Sequence, residues 1–308
     1  MNLFFKVLLG CVLAYLCFIV SIHALVYHGE GEEVQNNPSP PLPAGFLSVS
    51  TYNIQQRPTN EALLHLLTRK HSERSYISTV LLPSYMKSEV VCFNEVFTPS
   101  LRTELIRNMT RNGYTNYYTA DTGLFDSGLI VFSKHSISKR AHHTFRSSVS
   151  VDSLARKGVL YVETKGIHVF CTHLNATYTP NDNGKMARRS QLRETRKFID
   201  TRGIPQNEMV VVCGDMNIDY GTQEYDDMLQ ILGVVETDTT GEASTDYTRN
   251  LLVEWGHKER LDYVFYSRNH KRPTSAKSSV DNKIKVKDGV YRGQDLSDHF
   301  PIHAYFIF

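Results

Sequence analysis

The stretch Glu208-Met209-Val210-Val211-Val212-Cys213-Gly214-Asp215-Met216-Asn217 decides how this chain folds. Glu208–Cys213 is a near-continuous apolar run with no polar face, the pattern of a strand covered on both sides. A strand buried on both faces needs layers above and below it. The run stops at Gly214 and releases two polar side chains, Asp215 and Asn217. They stand two residues apart and so share a face if the segment stays extended.

The same pattern recurs in both directions along the chain. Phe46–Tyr52 alternates as a strand and ends at Asn53, and Glu89–Phe93 delivers Asn94-Glu95. Ser127-Gly128 opens a strand over Leu129–Ser133. Val159–Thr164, a tight Lys165-Gly166 turn and Ile167–Thr172 form a hairpin that ends at His173. Leu261–Tyr266 starts with Asp262, and Pro301–Phe308 closes the chain just after Asp298-His299. Between these strands lie helical patterns. Asn60–Lys70 carries Leu63, Leu64 and Leu67 on one face. A second helix begins at Thr98-Pro99, with Thr98 as N-cap, a stripe of Leu101, Leu105, Ile106 and Met109, and Gly113 as its stop. Lys185–Thr201 is a basic amphipathic helix ended by Gly203, and Glu224–Leu232 is closed by Gly233. Helices mixed with hairpin-like strand pairs indicate α/β layers.

The chain has 308 residues, 41% of them hydrophobic and 21% charged, which supports an ordinary globular core. A net charge of +2 argues against a dedicated duplex-DNA binder. Lys6 followed by the uncharged run Val7–Ile22 and Ser21-Ile22-His23-Ala24 reads as a signal peptide, or as a retained signal anchor, over residues 1–25. A Pro-rich linker over residues 26–45 follows, with Pro38, Pro40, Pro41 and Pro43. Residues 46–308 then form one catalytic domain. Five cysteines cannot all pair, and their spacing fits no metal motif. Cys92, Cys171 and Cys213 each fall inside a strand and read as small core residues. Of two glycosylation sequons, Asn108-Met109-Thr110 is the one open to modification, because Asn175-Ala176-Thr177 follows His173 too closely.

Asn53, Glu95, His173, Asp215, Asn217, Asp298 and His299 all fall at or just past strand ends. Strands entering a sheet from one side would gather them in one cleft. Taken singly, each has a plainer reading: a turn asparagine, a surface glutamate, a capping histidine. Together they form a cluster of carboxylates and carboxamides without cysteine, which suits a hard cation such as Mg2+. Glu95 is the direct ligand, because a carboxylate closing an apolar strand is costly without a cation. Asn53 completes that shell. Asp215 and Asn217 handle the attacking water and a phosphate oxygen. His173 donates to a phosphate or leaving oxygen, His299 is the general base and Asp262 orients it.

The ordered set Tyr52-Asn53-Ile54, Asn94-Glu95-Val96, Thr172-His173-Leu174, Gly214-Asp215-Met216-Asn217, Leu261-Asp262-Tyr263 and Ser297-Asp298-His299 resembles the endonuclease/exonuclease/phosphatase superfamily. The resemblance covers Asn53 to the C-terminus. It implies a four-layer α/β/β/α sandwich of the DNase I-like kind, Mg2+ as cofactor, and Asp298 beside Glu95 and Asn53 at the metal. Asp152-Ser153-Leu154-Ala155-Arg156-Lys157-Gly158-Val159 is similar to the Lys-Gly loop of the neutral sphingomyelinase branch, and so is Arg189-Ser190-Gln191-Leu192. That likeness implies substrate contacts from Lys157, Asn217 and His173, and hydrolysis of sphingomyelin in a membrane surface to ceramide and phosphocholine. It implies no stable protein partner and a secreted or membrane-anchored enzyme. Asn175 and Met216 depart from the branch, which often has Gln and Phe or Leu there. Arg260-Leu261-Asp262-Tyr263 replaces the Trp-x-Asp-Arg expected of inositol-polyphosphate 5-phosphatases. The alternative is a secreted DNase I-like endonuclease. The segment Ser267–Gln294, with Lys271, Arg272, Lys277, Lys283, Lys285 and Lys287, reads equally as a solvated loop or as a surface for anionic lipid. Lys287-Asp288-Gly289-Val290 marks a turn within it.

Overall fold

Met209–Asp215 is the central strand expected from its apolar run, and its two faces serve two different cores. Met209, Val211 and Cys213 face one apolar cluster, whereas Val210 and Val212 face the other. The computed structural model describes residues 30–34, 45–56, 69–120, 126–178, 183–237 and 240–308. The leader, the rest of the linker and the first part of the Asn60–Lys70 helix lie outside the described residues. The helix described next to it runs Arg69–Tyr76.

Two large sheets carry the molecule. The first runs, edge to edge, through Glu30–Val34, Ile137–Thr144, Gly158–Thr164, Ile167–His173, Met209–Asp215, Asp262–Ser267 and Val234–Glu236. The second runs through Ser275–Val280, Ile302–Ile307, Phe46–Gln56, Val90–Val96, Ile130–Ser133 and Asn116–Tyr118. Their inner faces meet through Cys92, Val162, Val169, Cys171, Val211, Cys213 and Val264. Outside the second sheet pack Leu105 and Met109 of the helix Pro99–Arg111, with Ile77 and Leu82. Outside the first pack Leu192, Phe198 and Ile199 of Gly184–Thr201, with Tyr225, Met228 and Leu232 of Gln223–Leu232. Helices, sheet, sheet and helices make four layers.

Thr98 stands at the N-cap of Pro99–Arg111 as expected but makes no side-chain cap hydrogen bond. Thr222 caps the helix Gln223–Leu232 by accepting from the Tyr225 N–H, and Gly233 ends it in the left-handed region at φ 66°. Cys92, Cys171 and Cys213 are fully buried free thiols. Asn175 is fully buried, and its carboxamide donates to the Ala176 carbonyl. Among the strands, Ile137–Thr144, Ser275–Val280, Asn116–Tyr118 and Val234–Glu236 went unforeseen. Ser275–Val280 lies within the basic stretch and pairs with Ile302–Ile307 as an edge strand, where Lys277 guards the open edge. Five residues of the expected linker, Glu30–Val34, pair with Lys139–His143. The strand boundaries also shift. Phe46–Gln56 and Val90–Val96 run past Asn53 and Glu95, so both residues sit within strands rather than beyond their ends.

The Lys157-Gly158 pair has a steric origin. The strand Gly158–Thr164 starts so close to its neighbour that a Cβ on Gly158 would lie 2.0 Å from the His143 carbonyl oxygen. That contact is with backbone, which cannot step aside. Gly158→Ala is therefore expected to lower stability by about 2–4 kcal/mol, seen as a lower denaturant midpoint with an unchanged slope.

Candidate active site

Register places the polar groups. Parallel pairing sets His173 beside Asp215, and antiparallel pairing on the other side sets Asp262 beside Asp215. Three adjacent strands thus end on His173, Asp215 and Asp262. In the facing sheet, Phe46–Gln56 has a bulge between Asn53 and Gln56, and Glu95 adopts φ 62°. Non-glycine residues take that left-handed conformation only when the surroundings impose it. Here it accompanies the turn of the Glu95 carboxylate toward Asn53.

Asp215 is the hub. Its Oδ2 accepts from Asn53 Nδ2 at 3.0 Å and lies 3.6 Å from His173 Nε2 and 3.9 Å from His299 Nε2. Its Oδ1 accepts the Asn217 backbone N–H at 3.0 Å. The same Asn53 Nδ2 donates to Glu95 Oε1 at 3.1 Å, so one carboxamide bridges two carboxylates. Asp298 Oδ2 accepts from Gln55 Nε2 at 2.6 Å, and Ser297 ties Asp298 back to the Asn53 carbonyl. Burial and the neighbouring Asp262 push the Asp215 carboxyl up to about 7. Burial and the charge of Asp298 likewise raise Glu95.

His299 donates from Nδ1 to Asp262 Oδ2 at 2.6 Å, so that in its neutral form Nε2, on the Asp215 side, is the lone-pair nitrogen. Burial works to lower its basicity, but Asp262, Asp215 and Asp298 outweigh burial and hold it well above the usual histidine range. His173 is the opposite case. Burial, the Lys157 ammonium and His299 press it well below that range, so it stays neutral. Lys157 Nζ sits 3.0 Å from His173 Nε2. An ammonium can only donate, so Nε2 accepts and Nδ1 carries the proton. That buried Nδ1–H has no protein partner among the described residues.

Every residue expected at the site is therefore gathered there, but three are placed differently from expectation. Lys157 is buried and already engaged by Asp152 at 2.8 Å, His173 and the Leu174 carbonyl. It positions His173 and has no N–H left over for a ligand without an exchange. Asn217 donates its side-chain N–H to the same Leu174 carbonyl at 2.9 Å. Asn53, expected as a metal oxygen donor, presents its Nδ2 to the carboxylates while its oxygen accepts the Gln55 N–H. Sequence reasoning missed Gln55, Ser244 and Asn250. Ser244 Oγ accepts the Leu261 and Asp262 N–H groups, and Asn250 donates to the Ser297 carbonyl. Nothing in their sequence context distinguishes them from ordinary turn residues.

The donor set fits a hard cation. Glu95, Asp298 and Asp215 converge with Asn53, no sulfur is involved, and the raised carboxyls mark uncompensated negative charge. Asp215, Asp262 and His299 also bring ligand atoms within 4.8 Å of one another. The short His299–Asp262 contact is a hydrogen bond that orients the imidazole, so the carboxylates around Glu95 are the better cation site.

Residues 50–299 match the Endonuclease/Exonuclease/phosphatase family. Sphingomyelinase C of Listeria ivanovii is 30% identical over 257 residues, covering 71% of this chain and 75% of that protein. The crystal structure of SmcL superposes with a TM-score of 0.73 at 26% identity, over 86% of this chain and all of that one. A variant of beta toxin from Staphylococcus aureus with bound magnesium ions shares the fold at a TM-score of 0.71 and 24% identity, over 84% of this chain and 99% of that one. The chain belongs to the endonuclease/exonuclease/phosphatase family, in the branch that holds the sphingomyelinases C.

Proposed function

We propose that this enzyme hydrolyses sphingomyelin to ceramide and phosphocholine, with Mg2+ as its cofactor. The observation that carries the reading is the His299–Asp262 pair, whose Nε2 lies beside Asp215. The names of its relatives supply the substrate class. Glu95 and Asp298 would hold the cation, with Asn53 completing the set. When bound, the cation supplies Lewis-acid polarisation of the phosphoryl oxygen and neutralises developing charge.

The chain's own residues do the rest. His299 Nε2 takes a proton from the attacking water. Asp262 keeps the ring in the tautomer that leaves this nitrogen unprotonated and stabilises the imidazolium that forms. The high basicity of His299 reflects its carboxylate neighbours, Asp262 first, and a cation held by Asp298 would offset one of them. Asp215 accepts from Asn53 and holds the water within reach of His299. His173, held neutral beside Asp215, would serve as the donor to a phosphate or leaving oxygen. Lys157 keeps His173 neutral and fixed. The enzyme acts outside the cytoplasm, its domain following a leader over residues 1–25, with Glu30–Val34 of the expected linker joined to the first sheet. Among the described residues no helix is long and apolar enough to cross a membrane.

His299→Ala is expected to cut phosphocholine release from sphingomyelin by roughly 10²–10⁴ while circular dichroism and melting stay native. Turnover within a few-fold of the parent would refute the assignment. For the cation, Mg2+ at a hundredfold excess over its Kd is expected to stabilise the protein by about 2.7 kcal/mol, read as a rise in Tm. EDTA should remove both that rise and the activity. Glu95→Gln should abolish the rise, and an undiminished rise in that variant would place the cation elsewhere.

A further inference from the structure

The chain has a single tryptophan, Trp255, and its side chain is not in the core. Trp255 is 88% exposed and Leu251 is 90% exposed. Both stand on one loop between the short strands Thr245–Asp246 and Lys258–Glu259. Isolated exposed apolar residues are commonplace, but these are grouped. Tyr247 packs edge-on against Trp255 with ring centroids 6.0 Å apart, and Leu252 and Val253 are half-exposed between the two tips.

The loop is braced from within. Tyr247 N–H donates to the His257 carbonyl at 3.0 Å, Asn250 N–H to the Asp246 carbonyl at 2.9 Å and Leu252 N–H to Asn250 Oδ1 at 2.9 Å. It is also anchored to the catalytic segment. Asn250 Nδ2 donates to the Ser297 carbonyl at 2.7 Å, and Leu251 N–H donates to Asp295 Oδ2 at 3.0 Å. Asp298 and His299 follow directly, so the apolar tips and the reacting groups are held in one frame.

Charge selects the partner. Arg249 pairs with Glu242 and Asp246, Lys258 pairs with Asp246, and His257 lies near Glu254 and Glu259. Lys285, which reaches the Arg249 carbonyl, pairs with Asp295. Three cations, Arg249, Lys258 and Lys285, thus meet five carboxylates, Glu242, Asp246, Glu254, Glu259 and Asp295, so the surroundings of the tips carry no positive excess to seek an anionic surface. Tryptophan and leucine on a surface without positive excess suit the headgroup boundary of a zwitterionic bilayer.

We infer that the loop Tyr247–His257 docks the enzyme on a zwitterionic lipid surface by inserting Leu251 and Trp255, and so delivers lipid to the adjacent cleft. This rests on the proposed lipid substrate, and the experiment separates the two ideas. The emission of the full chain, which reports Trp255 alone, is followed as vesicles of phosphatidylcholine and sphingomyelin are added in EDTA. The expected result is a blue shift, quenching by bromine-labelled acyl chains, and little change with added salt. Leu251→Ser together with Trp255→Ser should weaken vesicle cosedimentation at least about tenfold. The same double variant should hydrolyse a water-soluble nitrophenyl phosphodiester at the parental rate. Emission that stays unmoved while vesicle sphingomyelin is hydrolysed in Mg2+ overturns the docking role and leaves the chemistry intact. Parental cosedimentation of the double variant overturns it as well. A blue shift with no hydrolysis of any choline phospholipid supports docking and removes the proposed substrate.

Discussion

The whole site depends on the register of three neighbouring strands. His173, Asp215 and Asp262 are cross-strand neighbours, and a slip of one residue would turn all three toward the opposite face. Gly214 makes the register attainable. At φ 144°, a Cβ there would come within 1.8 Å of the Thr172 carbonyl oxygen. The strand therefore needs glycine immediately before its key carboxylate. Asn94 reinforces the arrangement from the facing sheet by donating to that same Thr172 carbonyl at 2.9 Å. The two sheets are thus tied together next to the cleft, and the apolar contacts between their inner faces hold the rest.

From this frame follows an electrostatic imbalance. Asp215, Glu95 and Asp298 share a confined space with Asn53 as the bridging donor. The Glu95 and Asp215 carboxyls are held high, one histidine is driven basic and the other is kept neutral. Those opposed shifts come from placement alone. His299 faces three aspartates, whereas His173 faces an ammonium. The division into a proton acceptor and a neutral donor is therefore set by neighbours and not by any difference between the two side chains.

Much of this was legible in the sequence. An apolar run covered on both faces is a strong signal, and Glu208–Cys213 foretold a layered α/β core. Polar residues closing such runs foretold Glu95, His173 and Asp215. The pairing of His299 with Asp262 came from chemical need together with the family resemblance, and the structure supplies it at 2.6 Å. What escaped notice depends on long-range geometry. Ile137–Thr144 contains Lys139, Arg140, His142 and His143, so its pattern is polar and its pairing with Gly158–Thr164 defines it as a strand. Ser275–Val280 is likewise polar and forms only because Ile302–Ile307 offers it an edge. Lys157 is expected as a substrate contact from the likeness of its loop to that of the sphingomyelinase branch, and only the fold shows Asp152 buried beside it. Asn250 and Leu251 had no signal at all, since a turn does not reveal which distant acceptor it will meet.

The central claim is that His299 activates water for attack on phosphorus in a choline phospholipid. Sphingomyelin hydrolysis in heavy-oxygen water, followed by mass spectrometry of both products, tests it most directly. The account predicts one heavy oxygen in phosphocholine, none in ceramide, and loss of the labelled product in His299→Ala. Label in ceramide, or labelled phosphocholine formed by the variant at the parental rate, would contradict it.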